Sequence, residues 1–127
     1  MQIDHVALFT EDIARLRTFY CTYFAATSNA LYHNPRTGLK TYFLTFLGGA
    51  RLELMSRPDV VGPVPAACQT GYTHLSFSLG SKEEVDRLTS LLTQNGYACI
   101  SGPRTTGDGY YETLVLDPDG NRIELTV

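Results

Sequence analysis

The feature that most limits what this chain can fold into is an internal repeat. Ile3-Asp4-His5-Val6-Ala7-Leu8 aligns with Tyr72-Thr73-His74-Leu75-Ser76-Phe77 at an offset of 69. Gly49-Ala50-Arg51-Leu52-Glu53-Leu54 aligns with Gly120-Asn121-Arg122-Ile123-Glu124-Leu125 at an offset of 71. Such self-similarity marks one supersecondary unit used twice. A chain of 127 residues has room for two fused half-size modules and little more.

Each half reads strand, helix, strand, strand, strand. In the first, 2–9 predicts a strand. Thr10 is placed to cap a helix to about Ala25, with Ile13, Leu16, Phe19, Tyr20, Tyr23 and Phe24 as its buried stripe. Strands follow near 28–33, at 40–47 and at 51–55, broken by Asn34-Pro35-Arg36-Thr37-Gly38 and Gly48-Gly49. The second half repeats this with a strand over 72–79. Its helix starts at the capping box Ser81-Lys82-Glu83-Glu84, carries the stripe Val85, Leu88, Leu91 and Leu92, and stops at Gly96. Strands near 97–101, 110–116 and 121–126 complete it, the last two joined by Asp117-Pro118-Asp119-Gly120. Since Thr10 and Ser81 also differ by 71, the two extra residues of module two are expected between its first strand and its helix. The fold class expected is α+β: two βαβββ modules, about 1–57 and 71–127 with a linker at about 58–70, forming a curved mixed sheet with helices on the outer face.

Side chains alternate faces along a strand. With Val6, Leu8, Leu52 and Leu54 facing the helix, His5 and Glu53 face away. The same arithmetic turns His74 and Glu124 away from Leu75, Phe77, Ile123 and Leu125. If the first and last strands of each module are neighbours, two imidazoles and two carboxylates converge. Carboxylates crowded in a partly dry cleft repel and resist desolvation. One divalent metal ion removes both penalties, and an N₂O₂ donor set suits Ni²⁺, Zn²⁺, Mn²⁺, Fe²⁺ or Co²⁺. His33 lies beside a turn, has no repeat partner and reads as ordinary surface.

Composition removes other function classes. Net charge is −3, with no basic footprint for nucleic acid and no run of like charges for a membrane surface. The apolar share of 43% against 18% charged residues argues against disorder. No apolar run approaches the ~20 residues of a membrane span, and no signal peptide is legible. Cys21, Cys68 and Cys99 are odd in number and widely spaced, and read as reduced core thiols of a cytoplasmic protein.

The repeat, together with Asp117-Pro118-Asp119-Gly120-Asn121-Arg122-Ile123-Glu124-Leu125, resembles the vicinal oxygen chelate superfamily across essentially the whole chain. That superfamily contains glyoxalase I, methylmalonyl-CoA epimerase, fosfomycin-resistance thiol transferases, extradiol dioxygenases and bleomycin-binding proteins. The order His, Glu, His, Glu is most similar to glyoxalase I. Epimerases typically carry glutamine where Glu53 stands, dioxygenases and fosfomycin transferases use three protein ligands, and bleomycin-binding members lack the metal set. The resemblance implies a lactoylglutathione lyase-like isomerase acting on a small metal-chelated substrate, with Glu124 as first choice for the proton-transferring base and Glu53 as second. It also implies a homodimer, in which ligands from each module are sometimes contributed by different chains. Bacterial glyoxalase I usually has a basic residue four places after its first histidine; Phe9 stands there instead. Phe9, Met55, Tyr72, Arg51 and Arg122 are the candidate substrate-binding residues. Tyr42 and Tyr111 are further candidates to bond a substrate oxygen, and Arg36, Lys40 and Arg104 further sources of positive charge. The alternatives are another metalloenzyme of the superfamily (epimerase, dioxygenase or thiol transferase) or a small-molecule binder without turnover.

Overall fold

A computed structural model describes residues 1–62 and 70–127. Most of the expected linker, and Cys68 within it, lies outside the described residues. The chain divides into two compact units, Met1–Gly62 and Pro63–Val127. The class is α+β, and the strands form two mixed sheets, one in each unit.

The first unit runs β1 (His5–Phe9), α1 (Ile13–Tyr23), β2 (Thr27–Ser28), β3 (Tyr32–His33), β4 (Lys40–Thr45) and β5 (Arg51–Ser56). Its sheet has the order β1-β5-β4-β2, with β3 also paired to β4. The expected strand near 28–33 is thus two short pairings with β4. The second unit runs β6 (Leu75–Ser78), α2 (Lys82–Gln94), β7 (Cys99–Thr105), β8 (Tyr111–Leu116) and β9 (Arg122–Thr126), in sheet order β6-β9-β8-β7. In both units the first strand lies parallel to the last, and the others pair antiparallel. No helix among the described residues is long and apolar enough to cross a membrane.

Each helix covers one sheet face. Ile13, Leu16, Phe19 and Tyr20 of α1 are buried together with Leu44, Leu52 and Leu54. In α2 the buried stripe is Val85, Leu88, Thr89 and Leu92, over Val115, Ile123 and Leu125. Leu91 departs from the expected stripe and is 37% exposed. Counting from Val85, positions three, four and seven share a face and position six does not. Thr89 takes the vacant place because its hydroxyl donates to Val85 O at 2.7 Å, so no polar atom is left unmatched there.

The helix starts correct the alignment. α1 is capped by Asp12, whose carboxylate accepts the Arg15 amide at 3.0 Å. Thr10 instead extends the sheet, its N–H donating to Met55 O at 2.9 Å. Ser81 caps α2 as expected, accepting from the Glu84 amide at 3.2 Å. The reciprocal half of that capping box is not made; the Glu84 carboxylate takes Arg87 Nε at 2.9 Å. Asp12 and Ser81 keep the histidines' offset of 69, while the C-caps Phe24 and Asn95 have already reached 71. The two extra residues therefore lie inside the helix, which has 13 residues in α2 and 11 in α1.

The hairpin between β8 and β9 turns on Asp117, which is 4% exposed. Its Oδ1 accepts the amides of Asp119 and Asn121 at 2.9 and 2.8 Å, and its Oδ2 accepts Asn121 Nδ2 at 2.8 Å. Burial pushes the Asp117 carboxyl above the ordinary aspartate range, against the opposing pull of these donors.

Both helices end in a residue of positive φ. In α2 it is Gly96, at φ 87°. In α1 the equivalent is Ala25, at φ 50°, with Ala26 N–H returning to Tyr20 O at 3.4 Å. A left-handed residue with a Cβ costs ~1–2 kcal/mol, and glycine gives back ~0.5–1 kcal/mol through its freer unfolded chain. Ala25→Gly is therefore expected to stabilise the protein slightly, raising Tm by about 2 °C in thermal unfolding. A lower Tm would show that Ala25 contributes packing that outweighs its strain.

Candidate functional site

In the first unit, β1 and β5 run in register with His5 beside Arg51 and Ala7 beside Glu53. His5 Nε2 and Glu53 Oε2 stand 3.5 Å apart on the sheet face away from α1, the glutamate side chain 15% exposed. In the second unit, Ser76 lies beside Glu124. His74, just before β6, places Nε2 3.4 Å from Glu124 Oε2. The first-to-last strand neighbours required by the sequence reading are present in both units.

Neither pair is hydrogen-bonded through these atoms, and both separations are long for such a bond. They fit another role. Two donors each ~2.0–2.2 Å from a divalent cation stand ~3–3.5 Å apart. An imidazole nitrogen with a carboxylate oxygen at that spacing is a suitable pair of ligands for the metals named above. Among the described residues, no group of three or more His, Cys, Asp or Glu side chains gathers closely enough to hold an ion. The candidate ligands occur as two pairs, one in each unit.

The surroundings of the two pairs differ. Asp4 Oδ2 lies 2.8 Å from His5 Nδ1 and accepts from Arg51 at 2.5 Å. His5 and then Arg51 hold the Asp4 carboxyl below its usual range. A carboxylate accepting from Nδ1–H leaves Nε2 as the bare, ligating nitrogen. The Phe43 ring meets His5 edge-on at 5.4 Å and carries the Arg51 guanidinium at 4.5 Å. In the second unit Thr73 replaces Asp4, and Leu114 occupies the place of Phe43 opposite the glutamate. There the extra contact is to the carboxylate: Ser76 Oγ donates to Glu124 Oε1 at 2.6 Å. Ala7 offers nothing comparable to Glu53.

Asp4, Phe43 and Ser76 were not among the residues expected from sequence. Asp4 precedes a strand histidine, and strand alternation alone points it away. Ser76 had a signal in the repeat, being two residues after His74 and therefore on the same face.

Phe9 is 51% exposed and pairs with a half-buried Met55, giving the first unit an apolar patch on the ligand face. Tyr72 is fully exposed before β6. Tyr42 lies beneath Arg17 at 5.1 Å on the helix side. Tyr111 donates to Asp86 at 2.7 Å with Lys82 over its ring at 5.1 Å, which ties it to α2. Glu112 accepts from Arg104 at 3.0 Å. His33 is exposed, and Cys21 and Cys99 are free and half-buried.

A repeated βαβββ unit, each copy with a histidine and a glutamate on its open sheet face, defines the class of protein. The profile of the Glyoxalase/Bleomycin resistance protein/Dioxygenase superfamily matches residues 2–125, and the chain belongs to that family. The uncharacterized protein YqjT of Bacillus subtilis is 26% identical over 130 residues, covering 97% of this chain and 96% of its own. A glyoxalase family protein of Enterococcus faecalis shares the fold at TM-score 0.80 and 24% identity, with 99% and 97% of the two chains covered. The trypanothione-dependent glyoxalase I of Leishmania major matches at TM-score 0.79 and 19% identity, covering 99% of this chain and 86% of that one. Glyoxalase I from Zea mays matches at 0.79 and 20%, this chain spanning 44% of its length.

The Asp4 contact yields a test independent of activity. Nitrogen NMR of the His5 ring is expected to show the Nδ1–H tautomer, and Asp4→Ala to shift the population toward Nε2–H. An unchanged tautomer ratio would remove Asp4 from the orientation of His5.

Proposed function

We propose that this protein is a metal-dependent isomerase of the glyoxalase I type, with His5, Glu53, His74 and Glu124 as ligands to one divalent ion. The observation that carries this reading is the near-equal spacing of imidazole and carboxylate in two compact units, 3.5 and 3.4 Å. Either pair alone is an incomplete donor set. Each pair is half of a set that a second unit, from the same chain or from a partner copy, would complete, and a homodimer is part of the proposal. When bound, the cation supplies Lewis-acid stabilisation of the negative charge that develops on the substrate oxygens.

The protein's own part is to bind the substrate and move a proton. Glu124 is the proposed base, taking the proton from one carbon and returning it to the next. Its Oε1 is steadied by Ser76, so the carboxylate keeps its place while Oε2 is engaged. Glu53, opposite Ala7, is the second candidate. Phe9 and Met55 supply an apolar surface in the first unit, where Arg51 is held by Asp4 and Phe43; Tyr72 and Arg122 are the polar candidates of the second unit. Phe9, at the position where bacterial glyoxalase I usually carries a basic residue, leaves glutathione as one thiol among several to test. The free thiols of Cys21 and Cys99 suit a reducing, cytoplasmic setting.

Glu124→Gln is expected to keep metal binding within about tenfold and to lose at least ~100-fold in hemithioacetal isomerase turnover. The assay is run with several thiols and with Ni²⁺, Zn²⁺, Mn²⁺, Fe²⁺ and Co²⁺ in turn. Wild-type turnover in that variant would move the base to another residue. Ser76→Ala is expected to weaken divalent-ion affinity about tenfold in competition with a chromophoric chelator, with Ser76→Thr restoring it. Equal affinities would separate the hydroxyl from the site. The grouping of ligands as pairs favours a second reading, a small-molecule binder without turnover. Stoichiometric metal in protein purified without chelator, together with isomerase activity, decides against it.

A further inference from the structure

Comparison of the two units points to a specificity residue. Arg51 and Arg122 occupy equivalent positions, two residues before each glutamate and on the same strand face as it. Arg51 is engaged twice, by the Asp4 carboxylate and by the Phe43 ring. Arg122 lacks both partners, because Thr73 stands in the place of Asp4 and Leu114 in that of Phe43. The second unit contains four cations. Lys82 lies over Tyr111, Arg87 is paired with Glu84 and Arg104 with Glu112. Among the described residues, Arg122 alone of these four makes no ion pair, hydrogen bond or ring contact, and it is half-buried.

A half-buried arginine with no counter-ion among the described residues keeps its donors open to an anion from outside the chain. Its neighbours fix the sheet face on which a compensating anion would lie. Ile123 and Leu125 are fully buried toward α2, so Arg122 and Glu124 share the open face. Two residues along a strand span ~7 Å. The planar fork of arginine matches a carboxylate bidentately.

We propose that Arg122 anchors a carboxylate of the substrate on the strand face that carries Glu124, and that Arg51 does not share this role. The inference deepens the isomerase reading and rests on it for the identity of the site, but it concerns recognition and is testable by binding alone.

The binding probes are 3-(methylthio)propanoate and its neutral counterpart 3-(methylthio)propan-1-ol, titrated calorimetrically into the intact protein. The wild type is expected to bind the acid about tenfold more tightly than the alcohol. Arg122→Gln is expected to bind the two equally, Arg122→Lys to regain part of the preference, and Arg51→Gln to retain it. In turnover, methylglyoxal hemithioacetals of 3-mercaptopropionate and 3-mercaptopropan-1-ol are expected to show the same pattern in kcat/KM. No acid preference in the wild type, a preference surviving in Arg122→Gln, or one abolished by Arg51→Gln overturns the proposal. The expected binding pattern with no isomerisation of any thiol adduct keeps Arg122 as the anchor and sets aside the reaction.

Discussion

The parallel pairing of first strand with last is the contact on which the His–Glu face depends. In each unit it brings together two stretches that lie far apart in sequence. Register then decides which residues meet, and the glutamate falls opposite the residue two places after the histidine in both copies. Parallel pairing needs a long connection, and in each unit that connection includes a helix. That helix covers the other sheet face and leaves the His–Glu face open. Core and candidate site are thus opposite sides of one strand pair.

Much of this was legible because the repeat supplied an internal control. A lone His5 or Glu53 on a half-exposed strand says little; recurrence in His74 and Glu124 says that position matters. Strand alternation then assigned faces correctly for His5, Glu53 and Glu124, while His74 lies just before β6 and still reaches Glu124. What sequence did not reveal came from contacts that cross elements or break periodicity. Thr10 looked like a cap because it is a β-branched hydroxyl residue before an apolar stripe, yet its amide completes the sheet and Asp12 takes over the helix. Leu91 looked like core by hydrophobicity, while helix geometry placed Thr89 inside. β7 was expected to end near 101, but it runs to Thr105 through register shifts that no local pattern signals.

The two units have diverged where divergence changes chemistry. One steadies its imidazole, through Asp4, and the other its carboxylate, through Ser76. One neutralises its arginine and the other leaves it available. The differences Asp4 against Thr73 and Ala7 against Ser76 change what surrounds each His–Glu pair without altering the backbone that carries it.

The buried aspartate at the β8–β9 turn has a consequence beyond the stability of the hairpin. A slip of one residue between these strands would exchange the faces of Glu124 and Leu125, driving a carboxylate into the apolar layer and a leucine into the open. Asp117 binds the amides on either side of Gly120 and so fixes where β9 starts. The carboxylate that never reaches the ligand face thereby acts as a register key, and the correct presentation of Glu124 is decided at a turn seven residues upstream of it.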